Sequence, residues 1–233
     1  MRARGKLIAI EGIDGSGKRT QLDLLAAELG SRGLHALQIS FPRYESFCGK
    51  LVGRYLNGEF GPLDAVDPHF SALLYANDRL EARPEIEAAL AAGSMVLADR
   101  YIGSNMAHQS ARMAPEKREE FVDWLKRLEY GLYGLPVEDL VIYLRVPVAE
   151  AHRLVGLKSA RNYTSRKRDI QEADVTHLEQ TAGMYDRLAT ASNWSRIDCS
   201  EGKAGALRPP DEIHKDVLRA VENHVLSQTP AGR

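Results

Sequence analysis

The chain has 233 residues, 44% hydrophobic and 27% charged, with 31 Lys and Arg against 32 Asp and Glu. That length carries one substantial core, and a net charge of −1 gives no global basic field to draw in nucleic acid. No apolar stretch approaches membrane-spanning length, and the two cysteines, Cys48 and Cys199, show neither metal spacing nor a disulfide framework, which suits a reducing cytoplasm.

Residues 7–10 read as a short buried strand. Behind it comes Gly12-Ile13-Asp14-Gly15-Ser16-Gly17-Lys18-Arg19-Thr20, and a helix opens over 21–29. Strand, glycine turn and helix are the context of a phosphate-binding loop. Glycines let successive N–H groups point into one hollow, the helix adds its positive end, and Lys18 brings an ammonium to the outer phosphates. The pattern G-x-x-x-x-G-K-[ST] is met at Gly12, Gly17 and Lys18. Arg19 stands where a hydroxyl normally touches Mg2+, and the hydroxyl comes one residue late, at Thr20.

A second strand is expected over 34–39, followed by the aromatic and basic loop Ser40-Phe41-Pro42-Arg43-Tyr44. A short amphipathic helix spans 50–56. Asp67 caps a long helix that starts at Pro68 and runs to about 90, with a bend possible at Pro84. Residues 94–98 form a third strand, apolar throughout as buried parallel strands are, and Asp99-Arg100-Tyr101 sits at its carboxyl end. Residues 104–112 precede a helix from 115 to about 130. A fourth strand covers 139–144. A helix from 148 to about 157 runs into a basic stretch, 158–168. Helix follows from 171 to about 191, a fifth strand over 194–198, and a closing helix from 209 to about 226.

Five short strands alternating with helices imply an α/β fold: a five-stranded parallel sheet with helices on both faces, in a single domain over 1–233 with a mobile lid at about 157–170. Ligands of such folds gather at the carboxyl ends of the strands, where the glycine loop, residues 41–44 and residues 99–101 converge.

Several side chains there could do chemistry. Asp99 is a magnesium carboxylate or a helix cap. Arg100 is a bidentate phosphate fork or a surface ion pair. Tyr75 and Arg79 lie one helical turn apart, either as ring on base and cation on phosphate, or as core plus salt bridge. Lys158, Arg161, Arg166, Lys167 and Arg168 are a solvated face or a lid that finds phosphates on closure.

Taken in order, these stretches resemble the thymidylate kinase family of P-loop nucleoside monophosphate kinases. The resemblance rests on the glycine loop, Phe41-Pro42-Arg43-Tyr44, Tyr55-Leu56-Asn57-Gly58-Glu59-Phe60-Gly61 and Leu74-Tyr75-Ala76-Asn77-Asp78-Arg79. Asp99-Arg100-Tyr101-Ile102-Gly103-Ser104-Asn105, Ala107-His108-Gln109 and the fourth and fifth strands complete it. It implies transfer of the γ-phosphoryl of ATP to dTMP with Mg2+, in a homodimer, with no membrane or nucleic-acid partner.

By the same resemblance, Arg79 and Arg100 hold the monophosphate and Tyr75 stacks on thymine. Asn105 and Gln109 read the base edge, and His108 lies near the sugar, where it helps exclude a 2′-hydroxyl. Asp14 lies near the 3′-hydroxyl and the metal, and Phe41, Pro42 and Arg43 wall the substrate. With Gly15 in the loop, catalytic arginines come from the lid, here Arg161 and Arg166. Arg145 stands where an aspartate is common. Two alternatives remain: a kinase for another nucleoside monophosphate, and an ATP-binding module without kinase activity.

Overall fold

The computed structural model describes residues 4–156, 174–201 and 206–227. Five parallel strands, β1 (Leu7–Glu11), β2 (Ala36–Ser40), β3 (Met95–Asp99), β4 (Leu140–Arg145) and β5 (Trp194–Asp198), form one sheet in the order β2-β3-β1-β4-β5. Eight α-helices surround it among the described residues: α1 (Lys18–Ser31), α2 (Phe47–Leu56), α3 (Pro68–Ala91), α4 (Ile102–Ala111), α5 (Arg118–Lys126), α6 (Val148–Gly156), α7 (Val175–Leu188) and α8 (Pro210–Val221). The expected α/β architecture is therefore the observed one. β1 lies at the centre with all five residues buried, flanked by β3 and β4, so the glycine loop that follows it emerges in the middle of the sheet's carboxyl edge. Each Leu or Ile buried there contributes about 1.5–3 kcal/mol.

Helix starts follow their caps. Asp67 accepts from the backbone N–H groups of His69 and Phe70 at the start of α3, and that helix continues through Pro84 to Ala91. Asp174 accepts from His177 N and caps α7 at Val175, while the expected start at 171 lies outside the described residues. α3 in turn holds the turn before α2. Asp78 accepts from Arg43 N and Ser46 Oγ, and Glu81 accepts from Phe47 N and Cys48 N. These bonds fix the loop that carries Phe41 to Tyr44.

Two elements lay outside the sequence reading. Residues 200–207 include a short antiparallel pair, β6 (Ser200–Glu201) and β7 (Ala206–Leu207). More consequential is α4, enclosed by α3, α5 and α7, with every residue buried. Its Ser104, Asn105, His108, Gln109 and Ser110 give it no apolar stripe, so periodicity does not reveal it. A helix both polar and buried needs a partner for each polar group, and those partners build the site.

Candidate functional site: two hollows joined at Arg100

The loop after β1 runs through Gly12 (φ 144°), Gly15 (φ 87°) and Gly17 (φ 85°). α1 starts immediately behind it with no side-chain cap and no acidic residue in its first turn. A helix start of that kind presents N–H groups and positive potential to an anion. Lys18 Nζ donates to Gly12 O and Ile13 O, each at 3.0 Å, and so lies across the loop. Gly15 packs on α6: a Cβ there would stand 2.4 Å from Ala151 O.

Arg100 follows β3 at φ 68°, the left-handed region that side chains rarely occupy. Its guanidinium ties three segments together. Nη2 donates to Asp14 Oδ1 at 2.7 Å, while Nη1 donates to Gly12 O at 3.1 Å and Ser104 Oγ at 3.0 Å. Burial would raise the Asp14 carboxyl, but Arg100, Lys18 and His108 beside it hold it well below the carboxylate range. Glu11, fully buried at the end of β1, accepts from Tyr101 N, Ser104 N, Ser104 Oγ and Tyr185 OH. Three of these donors fasten the start of α4 to the central strand, and the fourth ties in α7.

α4 offers two adjacent pairs one turn apart. Ser104 and His108 face Arg100, with His108 Nε2 3.4 Å from Nη1. Burial, reinforced by Arg100 and His177, pushes His108 well below its ordinary pKa, so the ring is neutral. Asn105 and Gln109 form the second pair. Asn105 Nδ2 donates to Ala72 O at 3.0 Å and Glu129 Oε1 at 2.8 Å. Gln109 Oε1 accepts from Ser71 Oγ and Arg112 Nη1.

Arg79 belongs with this second pair. It is 2% exposed and gives Glu129 a fork of two bonds, Nε to Oε2 at 2.6 Å and Nη2 to Oε1 at 2.8 Å. The resemblance has Arg79 share phosphate binding with Arg100; in the structure its charge is balanced by Glu129. Arg79 is thus a buried ion pair, and both Tyr75 and Arg79 line a cavity.

This cavity, of about 70 Å³, is lined by Tyr75, Arg79, Asn105, His108 and Gln109 among others. A second, more open cleft of about 590 Å³ is lined by Gly15, Gly17, Lys18, Arg19, Thr20 and Asp99. Asp14, Phe41, Pro42, Tyr44 and Arg100 line both. Gly12, Ile13 and Ser16 shape the loop without lining either hollow, and Arg43 lines neither. Arg161 and Arg166, with the expected lid, lie outside the described residues. Arg19 is 65% exposed and pairs with Asp23 on the surface of α1. Arg145 joins Asp186 of α7 at 3.0 Å to Asp198 of β5 at 3.7 Å, which gives that departure a structural role. Sequence reasoning missed Glu129, Glu11 and Arg112; the first carries no motif and only its burial marks it out.

The sequence pattern of the thymidylate kinase family matches residues 10–206. The thymidylate kinase of Mycobacterium tuberculosis is 33% identical over 216 residues, covering 88% of this chain and 98% of the relative. That of Homo sapiens is 30% identical over 227 residues, covering 97% of this chain and 94% of the relative. A solved thymidylate kinase from Candida albicans superposes with a TM-score of 0.73 at 21% identity, covering 96% of this chain and 93% of that one, which supports the fold. With two joined hollows at the carboxyl edge of a parallel sheet and a family match over most of its length, the chain belongs to the thymidylate kinase family.

Proposed function

We propose that the two hollows are the acceptor and donor sites of a thymidylate kinase, with dTMP in the enclosed cavity and ATP on the glycine loop. One observation carries this reading: Arg100 and Asp14 line both hollows, so a monophosphate and a triphosphate tail would meet at Arg100. An oxygen of the dTMP phosphate attacks the γ-phosphorus in line, and the β,γ-bridging oxygen leaves with ADP, giving dTDP. Such transfer asks the protein for positioning and charge more than for covalent chemistry. Arg100 aligns the acceptor phosphate and Lys18 turns from its loop carbonyls to the outer phosphates. Tyr75 stacks on the base, Asn105, Gln109 and Arg79 take its polar edge, and His108 lies against the sugar. Arg161 and Arg166 are proposed to neutralise the transferring group.

Mg2+ suits the donor cleft, because the cation takes one or two carboxylates with phosphate oxygens and water. Asp99 and Thr20 offer oxygen there, and Asp14 is already paired with Arg100, so Asp99 is the carboxylate we assign to it. When bound, the ion would offset charge on the donor phosphates. The family pairs as homodimers by resemblance; we extend that to this chain, and native mass measurement tests it. No described helix is long and apolar enough to cross a membrane. The function is tested by ADP release with ATP, Mg2+ and each common nucleoside monophosphate: dTMP should give the highest kcat/KM, and release with none of them would refute the reading.

A further inference from the structure

Glu129 lies in a π-helical turn, Arg127–Leu132, that extends α5, and its side chain is fully buried. Irregular turns of this type recur at functional sites. The carboxylate receives three donors, Arg79 Nε, Arg79 Nη2 and Asn105 Nδ2. An ionised carboxylate can only accept. Both N–H groups of the Asn105 amide are thereby spent, one on Glu129 and one on Ala72 O. Its Oδ1 is buried and has no hydrogen-bond partner among the described residues. Gln109 is fixed in the opposite sense: its Oε1 accepts from Ser71 Oγ and Arg112 Nη1, and the amide nitrogen remains to donate. Arg79, held through Nε and Nη2, keeps Nη1 to donate as well.

The wall of the cavity thus offers one acceptor, from Asn105, beside donors from Gln109 and Arg79. A 4-oxo pyrimidine complements that order, with N3–H as donor and O4 as acceptor. A 4-amino pyrimidine reverses both, with N3 as acceptor and an amino group as donor. We infer that Glu129 is a positioning residue for base selection: by accepting from Arg79 and Asn105 together, it fixes the polarity with which the wall reads the base. This rests on the assignment of the enclosed cavity to the nucleoside monophosphate. A neutral amide at 129 has one oxygen for three donors, so Asn105 either turns over, leaving Ala72 O opposed by an oxygen, or shifts away; in both cases its acceptor leaves the place where the base is read.

The experiment measures equilibrium affinity for dTMP and dCMP in the wild-type chain, Glu129→Gln and Glu129→Asp, with ATP KM as the control. Reversal of one buried hydrogen-bond pair is worth roughly tenfold to a hundredfold. The dTMP-to-dCMP ratio should fall by that factor in Glu129→Gln, with little change in ATP KM. Glu129→Asp still only accepts, so it should lose thermal stability yet keep the ratio. An unchanged ratio in folded Glu129→Gln would overturn the inference, since a purely structural ion pair would alter melting and not selectivity. Should Glu129→Gln fail to fold, N3-methyl-dTMP decides with the wild-type chain: weaker binding than dTMP by a similar factor supports the polarity, and equal binding overturns it. If wild-type chain binds no dTMP at all, the cavity assignment itself fails, a distinct result.

Discussion

Arg100 Nη2 lies 2.7 Å from Asp14 Oδ1, a bond between residues 86 positions apart in the chain. It joins the end of β3 to the glycine loop at the place where the two hollows meet, and it holds Arg100 in a backbone conformation that costs a non-glycine residue about 1–3 kcal/mol. Strain retained at such a point fits a guanidinium aimed at a ligand. Arg100→Ala should raise the KM for dTMP by roughly tenfold to a hundredfold, the worth of one or two charged hydrogen bonds, with a smaller effect on ATP. Steady-state kinetics with each substrate varied checks this; normal turnover at low dTMP would remove Arg100 from the acceptor site.

Gly15 is the tightest point of the loop. Its φ is 87°, and a Cβ at this position would lie 2.4 Å from Ala151 O, which leaves no room for a side chain. Gly15→Ala should destabilise the fold by about 1–3 kcal/mol and weaken ATP binding, because either the loop or α6 must shift. Denaturant unfolding and ATP KM read the two effects. The same crowding excludes an arginine at position 15.

Arg19 occupies the position of the metal hydroxyl in the motif, yet it pairs with Asp23 one turn along α1 at 2.9 Å. An exposed pair of this type is worth about 0.3–0.5 kcal/mol. Arg19→Thr should therefore leave thermal stability nearly unchanged and leave the Mg2+ concentration for half-maximal activity unmoved. A clear shift in that titration would mean that the side chain reaches the metal.

Glu138 lies buried under the sheet edge with Tyr130 OH donating to it at 2.6 Å, and burial pushes its carboxyl up to about 7 from 4.5. Between those values the folded chain holds a proton that the unfolded chain has released. The contribution of this group to stability therefore falls as pH rises through that window, by about 3 kcal/mol for the full shift. Buried His177, pushed down to about 4, acts in the opposite direction over much of the same range, so the wild-type curve alone is uninformative. Relative to wild type, Glu138→Gln should gain stability between pH 4.5 and about 7. Parallel urea unfolding of both proteins across that range measures it, and a constant difference would contradict the assignment.

The framework was legible because it is written locally. Short apolar strands, the Asp67 cap with Pro68, and the glycine loop each carry a signal within a short window, and each stands within a few residues of its expected place. Arg100 and Tyr75 were candidates by residue type and placement, Asn105, His108 and Gln109 only through resemblance, and the cavity gathers all five. What could not be read is set by contacts distant in sequence. Arg79 and Glu129 are 50 positions apart, and nothing nearby announces that they neutralise each other. α4 escaped because a buried polar helix has no apolar periodicity to detect. Arg145 had no account until Asp186 and Asp198 appeared around it.

The central claim is that the enclosed cavity takes a monophosphate whose phosphate reaches Arg100 while ATP occupies the glycine loop. The most direct measurement is ADP release with Mg2+ across dTMP, dUMP, dCMP, dAMP and dGMP, repeated with Arg100→Ala. The account predicts the highest kcat/KM with dTMP and its loss in the variant. ADP release indifferent to the acceptor, or unaltered by removing Arg100, would contradict it.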